Sequence, residues 1–160
     1  MTVAHFQVVL APQAERDLER LLDFLLEKAQ LPLDGPAYDG AHHTLAEELL
    51  TPSVIYAPAV LALQRAVEVR AVCHVTGGGL AGNLTRVLPK GVDVTIDPSS
   101  WEEPRIFAEI RRHGDIDQDE MRKVFNLGIG MVVVVPQEEV YRALDVLRGK
   151  LGADKVPETA

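Results

Sequence analysis

One cysteine, Cys73, occurs in 160 residues, which excludes an internal disulfide and fits a reducing cytoplasm. Long hydrophobic runs are also missing. The longest, residues 129–135, falls far short of the ~20 apolar residues that cross a bilayer as a helix, so no membrane partner is expected. The first ten residues lack the basic start and apolar stretch of a secretory signal. No Cys/His spacing suits a metal, and His42 and His43, in an Asp/Gly-rich stretch, read as a solvated loop. No internal repeat is present. Positive charge is in deficit: 16 Lys and Arg against 24 Asp and Glu give a formal net charge of −8. A general nucleic-acid binder needs a basic footprint, so nucleic acid is excluded as a partner. A local basic pocket drawn from Arg65, Arg70, Arg86, Lys90, Arg105, Arg111 and Arg112 remains compatible with that balance.

What is present is an ordinary globular composition, 47% hydrophobic and 25% charged, at a length that suits one domain with a short appendage. Residues 6–10 suit a short strand. Pro12 then opens a helix whose Leu18, Leu21, Leu22, Leu25, Leu26 and Ala29 follow one apolar face. Residues 31–43, with two prolines and two glycines, read as a loop. A short helix is expected over 45–50. A second runs from a Thr51–Pro52 cap to about Val67, with Pro58 marking a late start or a kink.

Residues 68–75 read as a strand in which Cys73 alternates with Val69, Ala71 and Val75, the pattern of a small core residue. Residues 80–87 suit a helix. Val92, Val94 and Ile96 alternate with Asp93, Thr95 and Asp97 as in a strand. Ser100 and Glu103 have capping-box spacing ahead of a helix bearing Ile106, Phe107 and Ile110. A short helix over 117–123, a strand over 129–135 covered on both faces, and a last helix bearing Val140, Leu144, Leu147 and Leu151 complete the order. Such a succession predicts an α+β (layered α/β) domain with a mixed sheet covered by helices.

Two glycine clusters carry the chemistry. Thr76, Gly77, Gly78 and Gly79 fall where a strand hands over to a helix. Anion binding needs several backbone N–H groups converging without side chains in the way, and glycine provides both. Thr76 and Asn83 can add side-chain hydrogen bonds, and His74 can hydrogen-bond an anion or act as acid or base. A tight turn with sterically convenient glycines is the equal alternative, since the loop has neither the Lys-Ser/Thr of a P-loop nor the GxGxxG spacing. The second cluster, Asn126, Gly128 and Gly130, leads into a strand. There, glycine marks close approach of a ligand or, more simply, of a packed helix.

As strings, HVTGGGLAGNLTRVLP (74–89), DPSSW (97–101) and FNLGIGM (125–131) resemble the C-terminal half of the phosphoribosylformylglycinamidine cyclo-ligases, or AIR synthetases. LAEELLTPSVIY (45–56) fits the segment just before. The resemblance implies a purine-biosynthesis ligase that uses ATP and Mg²⁺ to activate an amide oxygen of formylglycinamidine ribonucleotide. An internal nitrogen then attacks, phosphate leaves, and the imidazole ring closes. It further implies that His74 is catalytic. Thr76, Gly77, Gly78, Gly79, Asn83, Asn126, Gly128 and Gly130 would bind phosphate or substrate on one wall of a cleft, with no metal ligand among them.

Three family features have no counterpart in this sequence. They are the N-terminal domain, expected to hold ATP and magnesium and most of the dimer surface, a Leu-His-x-Asn-Gly-Tyr-Ser string, and a strand with Ile-Gly after the last helix. The expected partners are therefore a phosphoribosyl substrate, a nucleotide, an N-terminal AIR synthetase half and, in a homodimer, a second copy. FQVVLAPQAERDL (6–18) is similar to the opening of RelE/ParE-type toxins. The expected organisation is an extension (1–30), the family domain (31–152) and a frayed tail (153–160). An incomplete ligase is the first expectation. A non-catalytic phosphate- or nucleotide-binding remnant, and a toxin-like interaction protein acting through residues 1–30, are the alternatives.

Overall fold

The computed structural model describes residues 31–156, the side chain of Ala153 excepted. The strand and helix expected within residues 1–30, with the toxin-like stretch, lie outside the described residues. The chain divides into two compact units, Met1–Thr51 and Pro52–Ala160.

In the first unit, residues 31–43 form the expected turns, closed by a bridge between Pro36 and Thr44. Helix α1, Leu45–Leu49, follows. Its capping box was not anticipated. The Glu47 N–H donates to Thr44 Oγ1 at 3.2 Å, and the Thr44 N–H donates to Glu47 Oε2 at 2.8 Å. Those two bonds satisfy orphan donors that a five-residue helix could not satisfy internally.

The second unit is built on a two-stranded antiparallel sheet. Strand β1, Ala71–His74, pairs with β2, Met131–Val134, in the register Ala71↔Val134 to His74↔Met131. Bonds from Arg70 N–H to Val134 O (2.8 Å) and from Val75 N–H to Gly130 O (2.9 Å) extend the ladder at both ends. Successive side chains point to opposite faces, so each face acquires its own core. On one face, Val133 and Val135 pack on Leu63, Val67 and Ala143, from the region of helices α2 (Ala57–Ala66) and α6 (Val140–Leu151). On the other, Val132 and Ile129 meet Cys73, Val75 and Leu84, with helix α3 (Gly79–Leu84) supplying Leu80 and Leu84. Leu63 is fully buried, which is worth about 1.5–3 kcal/mol of transfer free energy.

The α+β class and the helix-covered sheet match the expectation, but the sheet, expected to be mixed, is an antiparallel pair among the described residues. β2 is covered on both faces, yet its residues are only half-buried, because among the described residues the sheet has one pair of strands and two open edges.

Several boundaries differ for local reasons. α2 begins at Ala57 and not at the Thr51–Pro52 cap, which is the late start Pro58 marked: Pro58 falls in its first turn, where a missing N–H costs nothing. Residues 92–97 are not a strand. Ile96 packs toward Cys73, but Val92 and Val94 are exposed, and no described strand bonds to the segment. The Ser100/Glu103 box does not form. Asp97 instead caps the short 3₁₀ turn Pro98–Ser100, accepting from the Ser99 N–H at 2.9 Å and its hydroxyl at 2.7 Å. Helix α4, Arg105–Gly114, starts after Pro104 without a side-chain cap. Helix α5, Gln118–Val124, begins one residue late because Asp117 is its N-cap, accepting from the Glu120 N–H at 2.9 Å.

Candidate functional site

The loop between β1 and α3 is shaped from within by Asn83, the one buried polar residue among the described residues. Its amide nitrogen donates to three carbonyls, Gly79 O at 2.7 Å, Thr76 O at 3.1 Å and Gly77 O at 3.3 Å. Its oxygen accepts from Thr76 Oγ1 at 3.3 Å. Both amide hydrogens are thus committed to the loop, and Asn83 positions the backbone instead of facing outward.

The three glycines separate by role. Gly79 is buried with φ +69°, and a Cβ there would stand 3.0 Å from the carbonyl carbon of Arg122 in α5. Gly78, at φ +102°, donates its N–H to Val124 O at 3.3 Å. Both are demanded by the turn and by the packing of α3 on α5. Gly77 is different. It is exposed, a Cβ there would meet nothing within 4 Å, and neither its N–H nor that of Thr76 has a partner among the described residues. α3 has only six residues, so the helix field expected behind this loop is small.

His74 lies exposed at the end of β1, its ring centroid 6.3 Å from that of Tyr56. Tyr56 rests over Gly130, where any side chain would collide with its ring. Gly128, at φ +97°, leaves room for Pro104, whose Cδ lies 2.5 Å from a β-carbon position. Gly128 and Gly130 are therefore packing glycines. Asn126 closes a local turn by accepting the Gly128 N–H at 3.2 Å. Tyr56 was missed as a neighbour of His74, since nothing in the local pattern links residues so far apart in the chain.

The basic residues sort by partner. Arg70 pairs with Glu68, Arg105 and Arg112 with Glu109, and Arg111 bonds Gln118. Arg86 has no acidic partner among the described residues, and its Nη2 lies 3.6 Å from a Gly78 β-carbon position. Its charge also reaches Cys73. Burial pushes the Cys73 thiol up from its ordinary value, and Arg86 partly offsets the rise. A buried, neutral thiol fits the core role read from the sequence.

A family model described as AIR synthase related protein, C-terminal domain, matches residues 21–156. The chain belongs to this family. Curated relatives agree. Phosphoribosylformylglycinamidine cyclo-ligase of Thermodesulfovibrio yellowstonii is 47% identical over 106 residues, 66% of this chain and 31% of the relative. The enzymes of the same name from Myxococcus xanthus and Chromobacterium violaceum are each 41% identical, over 79% and 78% of this chain and 36% and 35% of their own lengths. This AIR synthase-related domain thus spans about a third of the length of the curated relatives it matches.

In this AIR synthase-related domain, no group of three or more His, Cys, Asp or Glu side chains among the described residues is placed to hold a metal ion. No helix among them is long and apolar enough to cross a membrane.

Proposed function

We propose that the chain is the C-terminal part of an ATP-dependent cyclo-ligase that converts formylglycinamidine ribonucleotide to aminoimidazole ribonucleotide in purine biosynthesis, and that it forms one wall of the cleft. The observation that carries the placement is Gly77. It is exposed, a β-carbon there would meet nothing within 4 Å, and neither its N–H nor that of Thr76 has a partner among the described residues, so both can donate to a phosphate oxygen. Asn83 holds these groups in place, so donation costs little reorganisation. Arg86 supplies a guanidinium next to the same loop, and its planar fork suits phosphate. His74, one residue before the buried Val75, stands where it can touch the ligand's polar head. Gly78, Gly79, Gly128 and Gly130 shape this wall without contacting the ligand.

ATP and Mg²⁺ belong to this reaction by relationship. The described residues offer no carboxylate cluster for the metal, so its ligands are assigned to the portion of the relatives that lies outside the match. This wall orients the substrate and receives phosphate charge, and the second wall comes from that other portion, on the same polypeptide or a partner.

Turnover tests the reading. The 160-residue chain with ATP, Mg²⁺ and substrate is expected to release no phosphate above background. Adding the separately expressed N-terminal portion of the Myxococcus xanthus relative is expected to give substrate-dependent release. Steady turnover by the chain alone would overturn the assignment of the metal site. A complex that forms and stays silent would overturn the assignment of this wall.

A further inference from the structure

The dipeptide Asp-Gly occurs twice, at Asp34–Gly35 and Asp39–Gly40, both within the turns of residues 31–43. Asp-Gly is prone to cyclise, because a glycine nitrogen reaches the aspartate carboxyl carbon with no Cβ in the way. Both aspartates are exposed, so exposure does not separate them. The glycine amides do. The Gly35 N–H donates to Pro32 O at 3.0 Å, and the Gly35 carbonyl accepts from the Leu45 N–H at 2.9 Å. A Cβ at Gly35 would stand 2.9 Å from Pro32 Cγ. The Gly35 nitrogen therefore turns toward Asp34 only by breaking a bond in a packed turn.

Gly40 stands at the tip of a small hairpin. The Pro36–Thr44 bridge and the bond from the Ala37 N–H to His43 O, 3.1 Å, close its base. The Tyr38 and His43 rings meet edge-on there, 5.7 Å between centroids. Across the tip the Ala41 N–H donates to Tyr38 O at 2.9 Å, and Gly40 has φ +83°, the positive value that the third position of a type II turn requires. Gly40 is exposed, and a Cβ there would meet nothing within 4 Å. Neither its N–H nor the Asp39 carboxylate has a partner among the described residues.

We infer that Asp39–Gly40 is a self-modifying site whose product is a substrate for a carboxyl methyltransferase specific for L-isoaspartyl linkages. The Gly40 nitrogen attacks Cγ of the Asp39 carboxyl and gives up its proton. Water leaves, and a five-membered succinimide forms. Water then reopens the ring. Attack at Cγ restores aspartate. Attack at the Asp39 main-chain carbonyl leaves the chain running through Cγ, with the α-carboxylate free. Net charge is unchanged, and one methylene enters the backbone. The closed base holds the hairpin while its tip presents that carboxylate to solvent. The methyltransferase moves a methyl group from S-adenosylmethionine to the carboxylate oxygen, and S-adenosylhomocysteine leaves. The Gly40 nitrogen then displaces methanol and re-forms the succinimide.

Each passage through the ring in ¹⁸O-water places one ¹⁸O in the aspartate, and peptide mass spectrometry locates it. In the folded 160-residue chain at neutral pH, residue 39 is expected to label roughly tenfold faster than residue 34, whose glycine amide must first open locally. In urea the two rates are expected to converge. No label at residue 39, equal labelling of both sites in the folded chain, or a difference that survives in urea would each overturn the inference. After ageing, the folded chain is expected to accept labelled methyl groups at residue 39 from S-adenosylmethionine and an L-isoaspartyl methyltransferase. Asp39→Glu keeps the charge but needs a slower six-membered ring, and it is expected to accept none there. Undiminished methyl acceptance by Asp39→Glu would overturn the assignment of the site.

Discussion

At the scale of single residues, three consecutive glycines that look alike in sequence do different things. Gly79 permits α3 to touch the backbone of α5, Gly78 turns the chain, and of the three only Gly77 has nothing within 4 Å of a β-carbon position. The difference is measurable by denaturant unfolding. Gly79→Ala combines a positive φ with a collision against the Arg122 carbonyl and should cost about 3 kcal/mol. Gly77→Ala should lie within about 0.5 kcal/mol of the parent. Equal losses at both positions would mean that Gly77 is a packing glycine too. Asn83 was read from the sequence as a ligand contact, whereas its amide is spent on the loop. Asn83→Ala, by leaving carbonyls without their buried donor, should cost about 2–3 kcal/mol.

At the scale of elements, the sequence showed helices by period and caps by residue type, but not which caps are used. Thr44 and Glu47 close a reciprocal box, while Ser100 and Glu103, at the same spacing, do not. There, Asp97 takes Ser99 and starts a 3₁₀ turn first. The alternation over 92–97 was legible, yet a strand needs a partner, and the register that would supply one is not written locally. Conversely, the α5 start was nearly legible, because Asp117 in the N-cap is a local signal.

Caps made by carboxylates also make a pH prediction. The Glu47 carboxyl is held below its ordinary value of 4.5, first by the Thr44 N–H and then by the Thr44 hydroxyl. A depressed folded-state value stabilises the folded state above the unfolded value. That contribution is lost as pH falls from the ordinary carboxylate range through the folded value. The Thr44 amide resonance should therefore titrate in acid, below the range of a free glutamate, and lose that titration in Glu47→Gln. A Thr44 amide that titrates at the ordinary glutamate value would contradict the box. Asp97, lowered by the Ser99 hydroxyl and N–H, should behave likewise at the Ser99 amide.

For the whole molecule, the fold class was legible because period-2 and period-3.6 patterns alternate along the chain. The layering was legible because β2 is apolar on both faces. What could not be read were contacts between distant segments, such as Tyr56 over Gly130 and beside His74, or Arg86 beside Gly78. These depend on the register of β1 against β2 and on the docking of α3 on α5. The family relationship identifies residues 21–156 as an AIR synthase-related C-terminal domain, and the proposed function makes it one wall of a cleft. On that proposal, phosphate is met by Thr76, Gly77 and Arg86, on a loop held by the Asn83 amide.

Titration of the ¹⁵N-labelled 160-residue chain with inorganic phosphate, followed by amide resonances, tests that claim most directly. The account predicts saturable shifts at Thr76 and Gly77, weakened by salt and by Arg86→Ala, with Gly128 and Gly130 unmoved. No saturable shift at Gly77, or shifts spread evenly over the surface basic residues, would contradict it.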